Sequence, residues 1–214
     1  MRTIAFASQK GGAGKSTLAA HMSTLADAVA KPALLVDLDP QASLAFWHQL
    51  RRAETPILVK ATERELPAIL AEAKAGGVEW VFIDGPPHNT SAIAAMMRLA
   101  DLTIIPTRPS AFDLAAVSAT LDMAKALGRP HLVVINAAPA KRGLFRESSV
   151  TADARSVLTG MGANVWPEVV VQRAALAHAV AGGLSVGEME PNGAADREMQ
   201  NLWRDVRRMM EKTK

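Results

Sequence analysis

A glycine-rich run that follows an apolar stretch is the feature that most limits what this chain can fold into. Residues 3–7 are typical of a buried strand, and residues 15–30 have the spacing of a helix. Between them lies the run Lys10-Gly11-Gly12-Ala13-Gly14-Lys15-Ser16-Thr17. Glycines let a loop turn tightly with its N–H groups pointing inward, and the following helix adds the positive end of its dipole. This order of strand, loop and helix predicts a cradle for phosphate groups.

Two side chains of this loop are predicted to reach a nucleoside triphosphate. Lys15 would contact the β- and γ-phosphates, and the Ser16 hydroxyl would bind Mg²⁺. The other phosphate-binding residues are predicted to be Gly11, Gly12, Ala13, Gly14 and Thr17. The common pattern G-x-x-x-x-G-K-[ST] is not met in full, because Gln9 replaces its first glycine and Lys10 is an added cation. A dinucleotide-binding loop is disfavoured, since its third glycine position holds Thr17.

Strand-like and helix-like segments alternate along the rest of the chain. Strands are predicted at residues 3–7, 33–38, 57–59, 80–83, 102–105 and 131–135, with a weaker one near 165 or 169–171. Helices are predicted at residues 15–30, 63–74, 91–99, 112–127 and 148–158. Near-continuous apolar runs suit strands buried on both faces, and alternation with helices implies parallel pairing. We therefore expect one α/β domain over residues 1–214, with a doubly wound, mostly parallel sheet and helices on both faces.

Three aspartates stand where predicted strands end. Asp37 and Asp39 end the second strand, and Asp84 ends the run Trp80-Val81-Phe82-Ile83. Carboxyl ends of parallel strands share one edge of the sheet, so these side chains are expected beside the phosphate loop. Asp37 and Asp84 are predicted near Mg²⁺, and Asp39 near the γ-phosphate if the strand continues past Asp37. The alternative for each is an acidic helix cap or turn residue.

The composition removes several classes of site. The chain has no cysteine, which excludes disulfides, zinc–thiolate sites and cysteine-ligated iron–sulfur clusters. No apolar stretch reaches about 18 residues and no signal peptide is evident, so a cytoplasmic location is expected. The formal net charge is +3, which is mildly basic and says little by itself.

Together the motifs resemble one family of ATPases. Lys10 to Thr17, Asp37-Leu38-Asp39-Pro40-Gln41 and Asp84-Gly85-Pro86 resemble the deviant Walker A ATPases. Among these the chain is similar to the ParA partition ATPases, and to their short forms without an N-terminal DNA-binding extension. Residues 105–110 with Asp113, and residues 172–186, also fit. The resemblance implies a P-loop fold that binds and hydrolyses ATP with Mg²⁺.

The resemblance also implies roles for individual residues. Lys10 would cross the interface of an ATP-bound homodimer to the partner's phosphates, and Lys15 would act on phosphates in its own subunit. Asp39 would position the attacking water, and Asp84 would correspond to the Walker B aspartate. Asn136 would contact adenine, its alternative being a turn asparagine. A second loop lysine has a physical purpose in such a dimer, since it would stabilise transition-state charge in trans, as an arginine finger does.

The expected function follows from the same resemblance. The ATP dimer would bind non-specific DNA on the nucleoid, and a ParB-like activator or cargo adaptor would trigger hydrolysis. The cargo would be a plasmid, a chromosome or a protein cluster. DNA contacts are predicted for Arg173, Arg204, Arg207 and Arg208, with Arg142 and Arg146 as further basic residues. The alternative for each arginine is a solvated helix face.

Two other functions remain to be weighed. A MinD-like membrane ATPase would use the C-terminal segment 202–210 as an amphipathic anchor, although its apolar side also suits packing on the sheet. Of these two interpretations of segment 202–210, packing on the sheet is favoured over membrane binding. A metabolic or cluster-assembly relative is disfavoured, because those proteins need cysteines or a tyrosine tail and the chain has neither.

Overall fold

The computed structural model describes residues 1–27, 31–140 and 147–212 and forms six strands and nine helices within these ranges. The strands are β1 Arg2–Phe6, β2 Leu34–Asp37, β3 Ile57–Lys60, β4 Trp80–Asp84, β5 Leu102–Thr107 and β6 His131–Ile135. The helices are α1 Lys15–Asp27, α2 Ser43–Leu50, α3 Leu66–Ala75, α4 Thr90–Leu99, α5 Ala111–Ala126, α6 Ser149–Gly160, α7 Ala174–Ala181, α8 Val186–Met189 and α9 Ala194–Lys212.

The strands form one sheet in the order β3-β2-β4-β1-β5-β6, and each pairing is parallel. Strands β2 and β3 lie on one side of β1, and β5 and β6 lie on the other. The sheet is therefore doubly wound, as predicted. The middle strands are buried along nearly their whole length because helices cover both faces. One apolar core lies under α1, α2, α7, α8 and α9, and the second lies under α3, α4, α5 and α6.

Helix α9 is amphipathic, and its apolar side belongs to the first core. The buried residues on that side are Met199, Leu202, Trp203, Val206 and Met210. The Trp203 ring packs edge to face on Trp80, with ring centroids 4.6 Å apart, and contacts Phe82 at 5.8 Å. Burying a side chain of this size contributes about 2 kcal/mol or more. The helix is therefore held on the sheet by its own apolar face.

The predicted strands are confirmed to within about two residues, but three helices were missed. Helices α2, α7 and α8 have only eight, eight and four residues, too few for a clear apolar period. Helix α8 instead starts at a capping box formed by Ser185 and Glu188. The weak strand predicted near 165 or 169–171 is not a strand, since Val165 and Val171 form only isolated bridges. The end of the first predicted helix, residues 28–30, lies outside the described residues.

Candidate nucleotide-binding site

The carboxyl ends of β2, β4 and β1 lie side by side at one edge of the sheet. Asp37 pairs in register with Asp84, and Asp84 pairs with Phe6 at the end of β1. The glycine-rich loop leaves β1 at this edge and leads into α1. Strand order therefore brings the loop and two of the predicted carboxylates together, as the sequence predicted.

The loop has a backbone conformation that requires glycine. Gly12 and Gly14 have φ angles of +72° and +103°. A Cβ atom on Gly14 would also lie 2.0 Å from Nδ2 of Asn136. That amide nitrogen donates a hydrogen bond of 2.8 Å to the Ala13 carbonyl. Asn136 thus fastens the loop to the end of β6, while its predicted contact with adenine stays a prediction.

Lys15 and Ser16 begin α1 and point into the loop. The Lys15 ammonium is buried and donates to the Lys10 carbonyl over 3.4 Å. Burial lowers the pKa of Lys15, and the nearby charges of Asp84 and Asp39 oppose that shift. The Ser16 hydroxyl donates to Oδ2 of Asp84 over 2.5 Å. A lysine ammonium, a hydroxyl and a carboxylate therefore meet at the helix N-terminus, the arrangement that a metal-bound polyphosphate needs.

Asp84 is the carboxylate of the site whose pKa is strongly shifted. It is fully buried, and burial raises its pKa to about 7, with the charges of Asp37 and Asp39 adding to the rise. The Ser16 hydrogen bond and Lys15 act in the opposite direction. Its second oxygen, Oδ1, has no hydrogen-bond partner among the described residues. A buried carboxylate oxygen without a partner is costly, and a nearby cation would relieve that cost.

The residues present fit Mg²⁺. The Ser16 hydroxyl and the Asp84 carboxylate offer the hard oxygen atoms that this cation prefers. The described parts of the chain contain no group of three or more His, Cys, Asp and Glu residues that could hold a metal alone. The site therefore suits a cation that takes its remaining ligands from phosphate and water, as Mg²⁺ does in nucleotide sites.

Asp37 and Asp39 differ from their predicted arrangement. Strand β2 ends at Asp37, so the strand does not continue to Asp39 and strand alternation does not aim the two aspartates at one face. The two carboxylate oxygens of Asp37 accept from the N–H groups of Asp39, at 3.0 Å, and Ala45, at 3.1 Å, which anchors the first turn of α2. Burial raises the pKa of Asp37, and these two hydrogen bonds oppose the rise. Its predicted role at Mg²⁺ stays a prediction beside this structural one.

Asp39 lies in the turn before α2 and still reaches the cleft. Its Oδ1 accepts from the Gln41 N–H over 2.9 Å. Together with Lys15, Ser16 and Trp47 it lines a cleft of about 440 Å³ in front of the phosphate loop. The turn thus places Asp39 at the cleft wall, and its predicted role with the attacking water stays a prediction.

Lys10 extends toward α5 instead of its own cleft. Its Nζ lies 3.6 Å from Oδ2 of Asp113, whose carboxylate also accepts from Ser110 at the start of α5. The Lys10 side chain is 38% exposed and is not among the residues lining the phosphate cleft. Lys10 is therefore accessible at the surface, while Lys15 serves the interior of the loop.

A second cleft of about 920 Å³ continues from the phosphate loop toward α7. Its walls include Asn136, Val171, Ala174 and Ala177, and it is mostly apolar, as a base-binding cleft is expected to be. Arg108 lines both clefts. The sequence analysis gave no role to Arg108 or Asp113, although their position after a strand next to β1 was a usable signal.

The predicted DNA-binding arginines have different environments. Arg173 is engaged within the chain, since its Nη2 lies 2.7 Å from Oε1 of Glu198 on α9. Arg204 bonds Asp205 at 3.2 Å and Asn201 at 2.9 Å, and half of its side chain is exposed. Arg207 and Arg208 have no side-chain partner in residues 1–27, 31–140 and 147–212. Arg142 and Arg146 lie outside the described residues.

The fold and this site define a P-loop nucleotide hydrolase. Its elements are a strand, a glycine-rich loop, a buried lysine and a carboxylate on the strand that pairs with the first one in the sheet. The chain belongs to the CobQ/CobB/MinD/ParA nucleotide-binding domain family, whose model matches residues 4–186. The resemblance found in the sequence is thereby confirmed. The chain is a nucleotide-binding ATPase of the MinD/ParA type.

Two relatives carry the name maintenance of carboxysome distribution protein A. The protein from Gloeobacter kilaueensis is 36% identical over 125 residues, which span 58% of this chain and 56% of that relative. The protein from Halothiobacillus neapolitanus is 28% identical over 205 residues, 94% of each chain. Among solved structures, the septum site-determining protein MinD with Mg-ADP from Pyrococcus horikoshii has a TM-score of 0.76 at 19% identity, covering 96% of this chain and 95% of that one. This last likeness supports the fold.

Proposed function

We propose that this ATPase positions or partitions a cargo by forming an ATP-dependent dimer that binds DNA without sequence preference. The observation that carries the proposal is the orientation of α9. Its apolar side is in the core, while Arg204 and Arg208 are exposed and Arg207 is half-buried. A row of arginines on a rigid helix suits the phosphates of duplex DNA, which bind by charge and without base readout. Two relatives named for carboxysome distribution support a positioning role.

The chemistry is assigned to residues of the phosphate cleft. Lys15 and the loop N–H groups bind the β- and γ-phosphates, and Ser16 with Asp84 holds Mg²⁺, which neutralises phosphate charge. Asp39 orients the attacking water from the cleft wall. Lys10 reaches the phosphates of a second subunit, which agrees with its exposure outside its own cleft. Dimerisation and hydrolysis are thereby coupled, since loss of the γ-phosphate removes the contact made across the interface.

A partner protein is the proposed trigger of hydrolysis. In this scheme a ParB-like activator or cargo adaptor binds the DNA-bound dimer, accelerates hydrolysis and releases the dimer from the nucleoid. The cargo follows the resulting gradient of bound ATPase. Membrane binding by α9 is the second candidate, and it would require its buried apolar residues to leave the core. No helix among the described residues is long and apolar enough to cross a membrane.

Binding to duplex DNA of mixed sequence tests the proposal. The full chain is measured with ATP, with ADP and without nucleotide over a salt series, and anionic liposomes are tested in parallel. We expect binding to DNA with ATP only, and a steep loss of affinity as salt rises. Binding to liposomes with ATP, without binding to DNA, would overturn the proposal and favour the membrane function.

A further inference from the structure

Arg108 is a cation at the nucleotide site with no assigned role. It follows β5, which is the neighbour of β1 in the sheet, and its side chain is exposed. Its Nη2 lies 3.5 Å from where a Cβ of Gly12 would be, so the guanidinium lies directly against the phosphate loop. At that distance the guanidinium would be in ordinary van der Waals contact with a Cβ at this position.

The Arg108 guanidinium has no partner within the described chain. Neither a hydrogen bond nor an ion pair joins its side chain to residues 1–27, 31–140 or 147–212. Other arginines near the clefts are neutralised, such as Arg173 by Glu198 and Arg51 by Glu188. A guanidinium offers five N–H donors in a planar fork that matches phosphate oxygens. Its open donors face the two clefts.

The position of Arg108 identifies the part of a nucleotide that it faces. Lys15 and Ser16 line the phosphate cleft, and Ala174 on α7 lines the apolar cleft. Arg108 lines both clefts, together with Gly12, Gly14, Thr17 and Val180. A nucleotide with its terminal phosphates at Lys15 and its base in the apolar cleft has its α-phosphate at this junction.

We propose that Arg108 binds the α-phosphate side of the nucleotide's phosphate chain, in the same subunit. This inference rests on the proposed nucleotide site and adds a residue to it. The α-phosphate is present in both ATP and ADP, so Arg108 contributes to the affinity for both. Lys10, in contrast, is proposed to serve the dimer that forms with ATP. Arg108 therefore fixes how tightly nucleotide is held before and after hydrolysis.

Calorimetric titration of Arg108→Gln with Mg-ADP and with a non-hydrolysable ATP analogue tests the proposal. Losing a charge-assisted hydrogen bond at an exposed site weakens binding about tenfold, and we expect a similar factor for both nucleotides. Arg108→Lys should recover part of the loss, since it keeps the charge but not the fork. The matched control is Arg129→Gln, an exposed arginine before β6 at the opposite edge of the sheet.

Each outcome decides the matter. Unchanged affinity of Arg108→Gln for both nucleotides would overturn the proposal. A loss of affinity for the ATP analogue alone would also overturn it, because the contact would then be with the γ-phosphate or with the nucleotide of a second subunit. A lower thermal midpoint of Arg108→Gln without nucleotide would indicate a structural role and would also overturn it. Lys15→Gln is titrated alongside. If Lys15→Gln binds nucleotide as tightly as the wild type, then the nucleotide site itself is wrongly placed. That result would contradict the proposed site and not only the role of Arg108.

Discussion

The phosphate loop and the C-terminal helix are both cationic, but they hold their charges in different ways. At the loop, the Lys15 ammonium is buried and donates to a backbone carbonyl, near the fully buried Asp84. On α9, the Arg208 side chain is exposed and has no partner in the described part of the chain. A buried charge is costly unless its surroundings stabilise it, whereas an exposed charge costs little wherever it lies. The chain therefore fixes Lys15 in place and leaves Arg208 to solvent or a partner.

Lys15→Gln should have the largest effect, because it removes the cation that the loop is built around. We expect affinity for ATP and ADP to fall about 100-fold and hydrolysis to fall to background. Calorimetry with Mg-ADP and a phosphate-release assay measure both. Unchanged melting without nucleotide is the necessary control. Retained affinity would show that Lys15 does not bind nucleotide. The contrast drawn between the phosphate loop and α9 would then be wrong.

Asp39→Ala should reduce hydrolysis by about 100-fold while leaving ATP binding intact, since Asp39 lines the cleft without supporting the loop. The variant should remain on DNA with ATP for longer than the wild type. Phosphate release and DNA dissociation after nucleotide removal measure the two effects. Hydrolysis at the wild-type rate would contradict the assignment of the attacking water to Asp39.

His21 extends the comparison to a buried group outside the site. It is fully buried in α1, both ring nitrogens lack partners among the described residues, and burial lowers its pKa to about 4. The unfolded chain, with a pKa near 6.5, takes up the proton first, so stability falls as pH drops from about 6.5 toward 4. This group should cost about 2 kcal/mol of unfolding free energy between pH 8 and pH 5.

His21→Leu should remove that cost. Urea unfolding of both proteins at pH 8 and pH 5 measures it, and the variant should lose about 2 kcal/mol less than the wild type over this range. Nucleotide affinity at pH 8 should not change. Equal losses in the two proteins would show that His21 is protonated alike in the folded and unfolded states.

The smallest effect is expected from the exposed arginines. In Arg204→Gln/Arg208→Gln, ATP-dependent DNA affinity should fall, and the slope of log affinity against log salt should become shallower by about two for each subunit that contacts the DNA. Nucleotide affinity and melting should not change, because these side chains lie on the outside of α9. Arg129→Gln is the matched control. An unchanged salt slope would place the DNA-binding surface elsewhere on the molecule.

The sequence predicted best those features of the site that depend on short stretches of the chain. Lys15 and Ser16 are adjacent in the loop, and Asp84 ends an apolar strand, so their meeting followed from the loop motif and parallel strand pairing. The position of Asp39 depended on where β2 ends, which apolar pattern does not fix to one residue. The bond from Asn136 to Ala13 and the pairing of Lys10 with Asp113 join residues far apart in the chain. Such pairs depend on packing, which no local pattern contains.

The most direct test of the account is the molar mass of the protein in solution with ATP, measured by light scattering for the wild type and Lys10→Ala. The account predicts a dimer of the wild type with ATP and a monomer with ADP. It predicts a monomer of Lys10→Ala with either nucleotide, at unchanged affinity for ADP, because Lys10 lies outside its own cleft. A normal ATP-dependent dimer of Lys10→Ala would contradict the claim that this lysine joins the two subunits.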